Sequence, residues 1–212
     1  MAGLGTDDEE VLHHLVHGGF LTLQEITAAL PERDDSEIRR RYTAKLAADA
    51  RPGATFLFDR LDEAFTQMEA DDHVVAVHRA GPTREEARAQ VAEICRERGG
   101  TFAGIRGGVF YTDQDLRHAI DEGTLRLAFF ALGADVDRCR AGVDDLMPGI
   151  LQQLTDAGLP ATWSGDHHTK IEIAPITWSK RSPGLPRPAQ ASPETPSASL
   201  LGRLGKRLFR RG

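Results

Sequence analysis

The 212-residue chain is 40% hydrophobic and 27% charged, with a formal net charge of −6. That composition describes a folded, soluble polypeptide and excludes a disordered or fibrous one. The negative balance argues against a nucleic-acid-binding body, no apolar run nears the ~20 residues a membrane-spanning helix needs, and the acidic start, MAGLGTDDEE, lacks the apolar stretch of a secretory leader.

The first third reads as helices. Asp7 and Glu10 have the spacing of a capping box ahead of Val11, Leu12, Leu15 and Val16. Gly18 and Gly19 stop that helix. Thr22 and Glu25 form a second box that opens Leu23, Ile26 and Leu30, and Pro31 closes it. A third helix starts near Asp35 or Ser36 and carries Ile38, Tyr42 and Leu46 on one face; Pro52 and Gly53 break it. A fourth buries Phe58, Leu61, Ala64, Phe65 and Met68.

From Val74 the character changes. Val74 to Val77 is a short strand, and Pro82, Thr83 and Glu86 mark a helix start. Ala87, Val91, Ile94 and Cys95 form its apolar stripe, ended by Gly99 and Gly100. The glycine-rich GTFAGIRGG (100–108) precedes a strand, the wrong order for a phosphate-cradling loop, and reads as a mobile or tightly turned connection.

Gly107 to Leu132 is the centre of the chain. Val109 to Thr112 is a β-branched and aromatic strand. Asp113 is placed to cap a short helix carrying Leu116, Ala119 and Ile120. The near-continuous apolar run from Leu125 to Leu132 predicts a strand covered on both faces. Val143, Leu146, Ile150, Leu151 and Leu154 mark another helix, kinked by Pro148 or starting close to it. Residues 161–164 and 170–174 read as a terminal hairpin with one wet face.

The order from Val74 is therefore β-α-β-α-β-α-β-β. It predicts an α+β or α/β fold with a mixed sheet of about five strands and packed helices. The expected organisation is a helical N-terminal part (1–70), a sheet domain (71–181), a disordered Pro/Ser/Ala-rich linker (182–199) and a basic tail (200–212). In that tail Leu201, Leu204 and Leu208 fall on one helical side and Arg203, Lys206, Arg207, Arg210 and Arg211 on the other. Such a segment is suited to an anionic membrane surface.

Four stretches carry a family resemblance: DRLDEAF (59–65), GVFYTDQD (108–115), LTDAGLPATWSG (154–165) with KIEI after it, and IAPITWSKR (173–181). Together, over about residues 10–181, they resemble the uncharacterised bacterial domain of unknown function 6891 family. The resemblance implies fold and kinship and no activity. Some members carry a cysteine cluster after the strand matching Val74 to Val77; here that place reads HRAGPTREEA, so no metal or thiol role is expected from it.

Several residues invite chemistry. His13 and His17 share a helix face, yet no third ligand completes a zinc site in the sequence, so no metal and no cofactor are expected. Tyr111, Asp113, Gln114 and Asp115 cluster where a strand feeds a helix, a common place for ligands. Asp166, His167 and His168 occupy a predicted turn. Arg39, Arg40, Arg41 and Lys45 are explained as the wet side of an amphipathic helix, although residues 36–48 could also serve a nucleic-acid-associated regulator. Cys95 and Cys139 stand in no paired spacing, as in a reducing, cytoplasmic protein.

With no catalytic signature, the sequence reads as a cytoplasmic interaction or ligand-sensing module with an unidentified protein partner, not as an enzyme. Nucleic acid is not expected as a partner. The alternative is an enzyme whose site lies at the sheet's loop edge near Asp113 and His168, with Tyr111, Gln114, Asp115 and His167 as ligand contacts.

Overall fold

The computed structural model describes residues 6–185, without the side chains of residues 6 and 7. The expected capping role of Asp7, the linker beyond residue 185 and the basic tail 200–212, with Arg203, Lys206, Arg207, Arg210 and Arg211, lie outside what is described.

Four helices come first: α1 (Thr6–Gly18), α2 (Leu23–Ala29), α3 (Asp35–Asp49) and α4 (Leu57–Asp71). Then β1 (Val74–Val77), α5 (Arg84–Glu97), β2 (Gly107–Phe110), α6 (Asp113–Asp121), β3 (Leu125–Ala131), α7 (Val136–Asp156), β4 (Ala161–Thr162) and β5 (Ile171–Ile173) follow. The sheet order is β1-β2-β3-β5-β4. β1 and β2 are parallel, with Val75 opposite Gly108; the other pairs are antiparallel, with Val109 opposite Phe129 and Leu127 opposite Ile171. The mixed sheet of five strands and the element order match the sequence-based expectation.

Alternation along β3 explains the layering. Leu125, Leu127 and Ala131 join the core under α4, α6 and α7. Ala128 and Phe130 point the other way and pack with Val75, Val91 and Cys95 under α5. A separate cluster of Leu12, Val16, Ile26, Ile38 and Tyr42 holds α1, α2 and α3 together. The helical cluster and the sheet body meet where α1 lies against α6.

Three local expectations are corrected. Thr112, not Asp113, caps α6: its hydroxyl accepts from the Asp115 N–H, and the Asp115 carboxylate accepts from the Thr112 N–H. Both residues are good cap formers, but only Thr112 has a carboxylate three positions on to complete the box. Gly107 and Gly108, expected in a loose connection, are buried in β2. A Cβ at Gly108 would sit 2.6 Å from Val91 and 2.8 Å from the Phe130 ring, so the side chains above and beside them require glycine. Of the two readings of Pro148, a start close to it is the one overturned: α7 runs from the Asp135 cap through it to Asp156, with the proline inside the helix.

Ser182, at the head of the expected linker, is buried, and its N–H and hydroxyl both donate to Asp49, at 2.9 and 2.7 Å. No helix among the described residues is long and apolar enough to cross a membrane.

Candidate active site between two helices

α1 presents a run of ionisable side chains because Glu10, His13, His14 and His17 recur at helical spacing on the side opposite its apolar stripe. Leu12 and Val16 anchor that stripe in the helical cluster. This turns His14 towards α6, where it is only 7% exposed. Its Nε2 donates to Asp121 Oδ2 at 2.7 Å. His13 Nε2 lies 4.0 Å from the other carboxylate oxygen. Glu10, one turn before His14, completes a group in which one donor atom from each of Glu10, His14 and Asp121 lies within 4.8 Å of the other two. His14 is buried, whereas Glu10 and Asp121 face water. Asp121 is the last residue of α6, where the helix dipole adds partial negative charge and favours a cation.

Beside this group runs a cleft of about 80 Å³ lined by His14, Gly18, Arg79, Asp113, Leu116 and Arg117, among others. Arg79 follows the end of β1 and holds a left-handed backbone (φ 52°), uncommon for a residue with a side chain. Its Nε donates to Asp113 Oδ1 at 2.6 Å, and its guanidinium lies 4.6 Å from the centre of the Phe20 ring. Asp113 is free for this because Thr112 has taken over the cap. Arg117, one turn further along α6, makes no ion pair among the described residues.

The wall behind the cleft is aromatic. Tyr111 is wholly buried, and its hydroxyl has no hydrogen-bond partner among the described residues. Burial pushes its ionisation far above the ordinary tyrosine range. The His78 ring stacks 4.6 Å from both Phe58 and Phe65, with Nε2 donating to Asp62 at 3.2 Å. Burial lowers the His78 pKa, against the raising effect of Asp62, so this ring is a neutral packing element.

The structure distributes the sequence candidates unevenly. Asp113 lines the cleft, while Tyr111 lies in the core behind it. Gln114 is exposed. Asp115 is buried and structural, accepting from Thr112 and from Lys170 Nζ at 2.7 and 2.9 Å. His167 donates to Asp144 at 2.8 Å and stacks on Trp163. His168 is exposed; its N–H donates to Asp166 and its carbonyl accepts from Arg84. The histidine that shares a cleft with Asp113 is thus His14, not His168. Within residues 36–48, Arg41 pairs with Glu9 and Glu37, and Lys45 is buried against Asp49 and the Lys180 carbonyl.

The reading of the chain as a non-catalytic interaction or sensing module, and with it the expectation that it is not an enzyme, is overturned by the Glu10–His14–Asp121 group. The argument against a metal rested on a missing third ligand. That argument concerned His13 and His17, and neither is in this group; the fold instead joins Glu10 and His14 to Asp121 of α6, 107 residues from His14 in the chain. Glu10 and His14, four apart on one helix, were visible in the sequence; Asp121 was not.

A family model described as a domain of unknown function (DUF6891) matches residues 6–182. No curated protein and no solved structure matches the chain.

Proposed function

The chain belongs to the DUF6891 family, and from the cleft between α1 and α6 we propose that it is an enzyme that works with a divalent cation held by Glu10, His14 and Asp121. The observation that carries this is the convergence of one buried imidazole and two carboxylates, from two helices, within 4.8 Å. One nitrogen and two oxygen donors suit zinc, manganese or a similar divalent ion. Bound there, the cation supplies a polarised water or a Lewis acid.

The residues of the chain do the rest. In this structure Asp121 fixes the His14 ring by accepting from Nε2, as a carboxylate does for a proton-transferring histidine. The Nε2 of His14 and the carboxylates of Asp121 and Glu10 are the atoms that would hold the cation, with Nε2 then giving up the proton it now shares with Asp121. Gly18 and Leu116 give the cleft an apolar side. Asp113 holds Arg79 at the other side. The free thiols, Cys95 buried and Cys139 half-buried, suit work in the reducing cytoplasm.

Calorimetric titration of the full chain with Mn²⁺ or Zn²⁺ tests the site. Binding at a single class of site is expected, weakened at least ~10-fold in Asp121→Ala, because loss even of outer-shell support costs ~10–100-fold. Asp121 is exposed, so its truncation opens no core cavity, and the melting temperature is read beside the titration because His14 loses its partner. Equal affinity in wild type and Asp121→Ala would remove the cation and leave a bare His14–Asp121 acid–base pair.

A further inference from the structure

Resting on that reading, we propose that the cleft takes the phosphoryl group of a small phosphate-bearing substrate, gripped by Arg79 and Arg117 beside the Glu10–His14–Asp121 donors.

Charge is the first argument. The Arg79 charge is met by Asp113 at 2.6 Å, whereas Arg117 on the same wall has no acidic partner among the described residues. Exposed at the cleft and unpaired among the described residues, the Arg117 guanidinium is open to an anion that enters it. Preorganisation is the second. Asp113 uses only the Nε of Arg79, and the Nη groups make no other hydrogen bond among the described residues. The Phe20 face beneath the guanidinium fixes its plane. Arg79 therefore enters the cleft already held, with both Nη groups to spare, so little side-chain entropy is lost on binding.

Direction is the third argument. Arg79 comes from the loop after β1 and Arg117 from α6, so two guanidinium forks from different elements border one cleft. A tetrahedral phosphoryl group, with oxygens in several directions, answers two such forks; a flat carboxylate is satisfied by one. A volume of about 80 Å³ admits one such group and leaves the remainder of the substrate outside.

Inorganic phosphate is the probe. It is titrated into the full chain in EDTA and again with Mn²⁺ present, for wild type, Arg117→Ala and Arg79→Lys, with sodium acetate as a parallel ligand. Phosphate should bind wild type in both conditions and acetate at least 10-fold more weakly. Arg117→Ala, an exposed change, should lower phosphate affinity at least 10-fold while keeping the wild-type melting temperature and Mn²⁺ affinity. Arg79→Lys should lower it too, because an ammonium cannot reproduce the fork. Phosphate binding that survives both substitutions, acetate binding as tight as phosphate, or no phosphate binding in either condition overturns the proposal. Phosphate binding intact in a chain that takes up no Mn²⁺ supports this inference and defeats only the cation reading.

Discussion

Asp115 shows how much a single carboxylate can hold in this chain. It caps α6 through Thr112 and takes both hydrogen bonds of Lys170 while its side chain is 3% exposed. Asp115→Ala strands a lysine and uncaps a helix, so a loss of about 3 kcal/mol is expected, at the lower end for a broken buried pair because Lys170 keeps some water. Lys170→Met should cost less, since Asp115 retains the Thr112 donors; urea unfolding of the two variants checks the order. Asp49 gives a pH signature. Burial alone would raise its pKa, but Lys45 and two bonds from Ser182 win and hold it below the ordinary 3.8. Its folded pKa lies below its unfolded value, so its contribution is present above about pH 4 and fades as pH falls through the folded pKa. Asp49→Asn should therefore destabilise the protein at neutral pH, with the gap to wild type closing in acid.

At the scale of elements, most of the architecture could be read from local pattern. Thr22 and Thr83 cap where their spacing to Glu25 and Glu86 says they should. β3 divides its side chains between two cores as its apolar run implies. Phe130→Ala should cost ~3–5 kcal/mol. Phe129, half-buried against Trp163, should cost less than Phe130 in the same denaturation series. Gly107→Ala should be among the most damaging small changes, because its methyl would overlap the Phe130 carbonyl oxygen, a backbone atom that cannot swing aside. The site was less legible, for a physical reason. Helix periodicity reports which residues share a face, so Glu10 and His14 could be paired by eye. It says nothing about which distant helix that face meets. Asp113 misled in a related way: its type suits a cap, and only the Thr112–Asp115 pairing freed it to hold Arg79.

For the whole molecule, the cation donors straddle a seam. Glu10 and His14 belong to the helical cluster, and Asp121 to the body built on the sheet. The segment after β5 crosses the same seam: the Trp178 ring donates to the Gly18 carbonyl at 3.3 Å, and the Lys180 carbonyl accepts from Lys45 Nζ at 2.7 Å. A cation bound across the seam adds a further tie between the two parts, and because it binds the folded chain it should raise the unfolding free energy by ~2.7 kcal/mol at 100 times its Kd. The most direct measurement is an anomalous diffraction map of the full chain crystallised with Mn²⁺ or Zn²⁺. The account predicts a peak between α1 and α6, ~2.0–2.2 Å from one donor atom of each of Glu10, His14 and Asp121. Bound metal elsewhere, with His14 still donating directly to Asp121 and no peak beside it, would contradict it.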